Sequence, residues 1–65
     1  MKAKFIGVSS RGFQTGKVYE ISSKLVNAMI GGEVVTCILI EDVASTASRP
    51  YASLESVLKH WQFMN

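Results

Sequence analysis

One cysteine, one proline, one histidine and one tryptophan stand among the 65 residues of this chain. With Cys37 alone, no internal disulfide can form, and a thiolate zinc site lacks its ligands. His60 alone leaves no histidine pair for a metal, so neither metal nor cofactor is expected. No apolar run approaches the roughly 20 residues that span a bilayer. The N-terminal "MKAKFIGVSSRG" has the lysines of a signal peptide but not its apolar core of roughly 7–15 residues. The expected setting is the cytosol, which a single free thiol suits, with no membrane attachment. A chain this short is expected to form one domain, residues 1–65, and to bury only about 60% of its unfolded surface. Such domains usually need a staple or a partner. Tight packing or self-association is what the composition leaves. A hydrophobic content of 48% argues against disorder.

Acidic residues are scarce in the first third. Residues 1–24 carry Lys2, Lys4, Arg11, Lys17 and Lys24 against Glu20, a net of +4, whereas residues 25–48 carry only Glu33, Glu41 and Asp42. The net charge of the whole chain is +2. The basic third reads first as an uneven solvated surface, and second as a face for an acidic partner or nucleic acid.

What is present is β-forming sequence. "KAKFIG" (2–7) alternates charged and apolar side chains, the pattern of a half-buried strand. "VSSRGFQTG" (8–16) is a Ser/Gly-rich loop. "KVYEIS" (17–22) is a second strand. "EVVTCILIED" (33–42) is the strongest strand, rich in β-branched residues, and "VASTASRP" (43–50) reads as another loop. Residues 22–30, "SSKLVNAMI", read two ways. As a helix they would be capped by Ser22 or Ser23 and stopped at Gly31. As a strand they would place Tyr19, Ile21, Leu25 and Met29 on one face. Gly31–Gly32 would then close a hairpin with Leu25 opposite Ile38 and Met29 opposite Val34. The hairpin is the preferred reading.

The C-terminal segment predicts a short amphipathic helix. Ser53 is a good N-cap, and Leu54, Val57, Leu58 and Trp61 fall on one stripe. Glu55 lies in the first turn, with Lys59 and His60 in the last, as the helix dipole favours. Trp61 is expected to anchor the core. The fold class is therefore β-rich α+β: a small, strongly bent antiparallel sheet of 3–5 strands with one C-terminal α-helix.

"GKVYEI" (16–21) and "PYASLESVLKHW" (50–61) together resemble a class of very small phage and prophage proteins with compact, SH3-like β-barrels. The resemblance covers two short patches, neither of them a functional signature. It implies an SH3-like barrel and a bacterial host cytosol, with Gly16 and Lys17 opening a strand and Tyr51, Leu54 and Trp61 fixing the helix.

Catalytic patterns fail. "GFQTGKV" (12–18) has one residue too few between its glycines for a P-loop, and Val18 stands where the magnesium-binding Ser or Thr belongs. Cys37 and His60 are the only nucleophile and base candidates, yet Cys37 lies in "VVTCILI", where a thiol is buried and inert. No enzymatic activity is expected.

Two binding readings follow. In the first, the chain is a small non-catalytic module that acts by protein–protein contact, with a bacterial host protein as one candidate partner. Residues 34–40 are apolar on both faces, and such a strand must be covered on both. That predicts a homodimer through Val35, Cys37 and Leu39, with partner contact at the loop bearing Arg11, Phe13 and Lys17. The alternative is single-stranded nucleic-acid binding through the basic N-terminal third, with Phe13 as the exposed stacking ring.

Overall fold

The computed structural model describes residues 1–64. In chain order it contains β1 (Lys2–Phe5), β2 (Val18–Ile30), β3 (Glu33–Asp42), β4 (Ser48–Tyr51), α1 (Leu54–His60) and β5 (Trp61–Met64). The strands form one antiparallel sheet in the order β4-β3-β2-β1-β5. Strands β4 and β5 are its two edges, and the sheet is open. The fold is thus β-rich, with five strands and one short helix.

Residues 22–30 are strand. The β2–β3 hairpin pairs continuously from Ile21↔Asp42 to Ile30↔Glu33, with Leu25 opposite Ile38 and Met29 opposite Val34. Gly31 and Gly32 have φ of 58° and 82°. Two successive positive φ angles make the type I′ turn whose twist matches the strands it joins.

Two strands lie where the sequence reads otherwise. β4 falls at the end of the 43–50 segment expected to be loop, and it includes Pro50. Pro50 sits opposite Leu39, between the Ile38↔Tyr51 and Ile40↔Arg49 rungs. Its missing N–H therefore points away from β3, a position an edge strand tolerates. β5 takes Trp61 out of the expected helix. α1 ends at His60, and Trp61 is its extended C-cap and the first residue of β5, opposite Phe5. The helical stripe is correspondingly incomplete: Val57 is buried, but Leu54 and Leu58 are exposed. Ser53 caps the helix, its hydroxyl accepting from the Ser56 N–H at 3.2 Å.

The core sits under the β1, β5 and β4 end of the sheet. It consists of Ala3, Phe5, Phe13, Tyr19, Ile21, Ile40, Tyr51, Val57 and Trp61, with Ile38 and Ala47 packed against it. Trp61 is its centre, with ring centroids of Phe5 and Phe13 each 5.0 Å away and Tyr19 at 5.9 Å, all edge-on. Its indole N–H donates to the Tyr51 hydroxyl at 2.9 Å, so a buried polar pair is mutually satisfied. No helix among the described residues is long and apolar enough to cross a membrane.

Candidate interaction surface

The loop joining β1 to β2 is folded back on itself by a tight turn. Ser10 and Phe13 exchange two backbone hydrogen bonds, 3.0 and 2.9 Å, around Arg11 and Gly12, whose φ angles are 51° and 87°. The turn aims Phe13 inward. Its ring is 1% exposed and stacks edge-on against Tyr19 and Trp61. Phe13 is therefore a core residue, and the expectation of an exposed ring is corrected. The Gln14 N–H donates to the Tyr19 hydroxyl at 2.8 Å, tying the loop to β2. At the tip, Gly12 lies so close to the β3–β4 loop that an added Cβ would come within 2.9 Å of the Ala47 Cβ. Arg11 and Lys17 are on the surface, with the Lys17 ammonium 5.3 Å from the Tyr19 ring centroid. The loop thus presents two cations and no aromatic ring.

Val35, Cys37 and Leu39 do share one face of β3, but that face is largely covered from within the chain. Cys37 is buried, and Val35 and Leu39 are half-buried. Their neighbours explain this. Val26 stands opposite Cys37, Ala28 opposite Val35, and Leu39 lies between Lys24 and Pro50. Lys24 stands opposite Leu39, and its ammonium reaches Glu41 at 3.3 Å. The row forms a small second cluster on the back of the sheet.

The uncovered apolar surface is on the other face. Leu25, Met29 and Val34 are 73%, 71% and 68% exposed. They continue the face that carries Tyr19 and Ile21, but they lie beyond the reach of the short strands and helix that build the core. Between the Leu25↔Ile38 and Met29↔Val34 rungs sits one polar rung, where the Thr36 hydroxyl bonds the Asn27 side chain at 3.2 Å. The hairpin projects as an arm, and the molecule measures 35 × 22 × 21 Å. Sequence reasoning placed these residues on the core face and so missed them as surface. The usable signal was length: β2 has 13 residues, whereas β1 and β5 have four each. Four-residue strands back only the first part of β2.

The charges are dispersed. The N-terminal ammonium pairs with Glu20, Lys24 with Glu41, and Lys59 with Glu55 one helical turn away. All three pairs are solvent-exposed, and such pairs contribute little to stability. Phe5, Phe13 and Tyr19, the rings interleaved with the N-terminal lysines, are all buried. Among the described residues there is no cleft and no cluster of three or more His, Cys, Asp or Glu side chains in metal-binding proximity. Comparison with protein families, with curated proteins and with solved structures finds no match to this chain.

Proposed function

We propose that this protein is a small, non-catalytic binding module of the SH3-like barrel type, phage- or prophage-derived, that acts by protein–protein contact in the bacterial host cytosol. The observation that carries the reading is the apolar row Leu25, Met29 and Val34 on the projecting hairpin. Exposed apolar residues grouped on one face mark interaction surfaces more often than isolated ones do. The arm holds them clear of the core, so they can be buried by a partner without disturbing the fold. The strand order and the helix set between the last two strands support the SH3-like description. Arg11 and Lys17 flank the β1–β2 loop and would add charge complementarity, which favours association rate and specificity. A second copy of the chain is one partner of this kind, and a host protein is another.

Single-stranded nucleic-acid binding has the lysines it needs but not the rings. Base stacking on exposed aromatic side chains supplies much of the affinity of such sites. Among the described aromatic residues only Phe63 is exposed, and then only to 37%.

The test is a photoreactive phenylalanine derivative at position 25 in cells that make the protein, compared with the same residue at position 62. Cross-linking to a discrete polypeptide from position 25 alone is expected, and it should be lost in Met29→Lys. Equal, diffuse labelling from both positions, together with salt-sensitive retention on single-stranded DNA, would replace this reading with the nucleic-acid one.

A further inference from the structure

Among the described residues, no strand pairs with one edge of the far part of β2. Strand β1 pairs with β2 only as far as Glu20, and the Ile21 N–H donates to the Met1 carbonyl. Beyond that point residues 22–30 pair with β3 alone. The direction of each backbone group follows from alternation along an antiparallel strand. The Ile21 N–H points away from β3, whereas the Glu20 carbonyl points toward it and accepts from the Val43 N–H at 2.9 Å. The N–H and C=O groups of Ser23, Leu25, Asn27 and Met29 therefore all face outward along an open edge.

Protein sheets usually blunt such edges with proline, a bulge, or several charges. β4 does so with Pro50. The 22–30 edge has no proline, its register with β3 runs without a bulge, and its one charge is Lys24.

We infer that the occupant of this edge is a second copy of the chain, with β2 pairing antiparallel to β2 about a two-fold axis at Val26. This inference rests on the protein-contact reading above and specifies one partner for it. Three features favour self-pairing. Val26 is the midpoint of the open stretch, so a two-fold axis there uses its whole length and pairs every outward N–H and C=O. In that register Lys24 faces Ala28 of the second copy, and no like charges are opposed. The back-face cluster of Val26, Val35, Cys37 and Leu39 becomes continuous with its counterpart through the Val26–Val26 contact, which accounts for self-association on that face without stacking it. The Gly31–Gly32 turn of the second copy arrives beside Met1, which already pairs with Ile21, so the ladder between copies ends at the Ser23–Met29 rungs. An edge of nine residues is about 30 Å long and about 10 Å thick. That falls below the area of stable complexes, so the dimer belongs to the transient class, with dissociation in the micromolar range.

The test is sedimentation equilibrium of the full chain across micromolar concentrations, combined with cysteine cross-linking in a Cys37→Ala background. The mass is expected to rise from 7.1 kDa toward twice that value. At the axis, Val26 and Val26 of the second copy form a non-hydrogen-bonded pair, with Cα atoms about 4.5 Å apart, within disulfide range. Val26→Cys, Cys37→Ala should oxidise to a covalent dimer, whereas Ala28→Cys, Cys37→Ala should not. Asn27→Pro removes an outward N–H and leaves the β2–β3 ladder intact, and it should abolish the mass increase. If that variant fails to fold, the cysteine pair decides. A constant 7.1 kDa mass overturns the dimer without touching the partner contact tested from position 25. A dimer that cross-links equally from positions 26 and 28, or that survives Asn27→Pro, overturns the edge pairing in favour of another interface.

Discussion

Replacing Trp61 by alanine removes the side chain on which the core converges. The indole is 1% exposed and lies edge-on to Phe5, Phe13 and Tyr19. Truncating a buried tryptophan to alanine costs about 3–5 kcal/mol. The variant also strands the Tyr51 hydroxyl, which is buried and accepts from the indole N–H. An orphaned buried polar group costs about 1–3 kcal/mol when no water replaces its partner. At roughly 0.05–0.15 kcal/mol per residue, a 65-residue domain has about 3–10 kcal/mol in all. Trp61→Ala is therefore expected to be largely unfolded in water or to lose most of its urea midpoint, read by circular dichroism because the fluorophore is gone. Trp61→Phe keeps a ring in place but deletes the donor, and should lose about 1–3 kcal/mol with a cooperative transition retained. A Trp61→Ala midpoint within error of the parent chain would mean that the Phe5, Phe13, Tyr19 and Tyr51 packing does not depend on the indole, and the account of the core would fail.

Phe13→Ala should behave as a core truncation despite its place in a loop, losing about 3–5 kcal/mol; an unchanged thermal midpoint would return the ring to the surface. Gly12→Ala should destabilise as well, because both its φ of 87° and the approach of Ala47 oppose a Cβ, and a melt at or above the parent's would refute this. Cys37 should resist a thiol reagent in native buffer and react once urea is added, since it is only 3% exposed. Ser53→Ala removes the cap of α1 and should cost about 1 kcal/mol, or about 4–8 °C in a domain of this size.

The parts of the fold that were legible in the sequence are those fixed by local chemistry. Gly31–Gly32 between two β-forming runs specifies both the hairpin and its register, and Ser53 with Glu55 and Lys59 specifies the helix and its sense. The short edge strands were not legible. Four residues containing Pro50 resemble a loop until Leu39 is known to sit opposite the proline. Trp61 completes a helical stripe by spacing, yet its pairing with Phe5 draws it into β5. Phe13 was misplaced for a related reason: the Arg11–Gly12 turn lacks the Asn-Gly or Asp-Gly signature of a type I′ turn, so the reversal that buries the ring is hard to see. For the candidate surface, alternation gave the correct face for Leu25 and Met29, but whether that face is covered depends on how far the other strands extend.

The position of Trp61 also has a consequence for the order of folding. The long hairpin, residues 18–42, is local in sequence, whereas the core beneath it joins β1 near one end of the chain to Trp61 near the other. A hairpin closes in about 1–10 μs. Contacts between distant segments come later, because their loop-closure entropy must be met first. In the interval Tyr19, Ile21 and Ile40 have no tryptophan to pack against, and they share a solvent-facing surface with Leu25, Met29 and Val34. A folding chain thus displays an apolar sheet and an undefended edge together. Another copy is then a source of a matching strand, so the share of chains that refold alone is expected to fall as protein concentration rises.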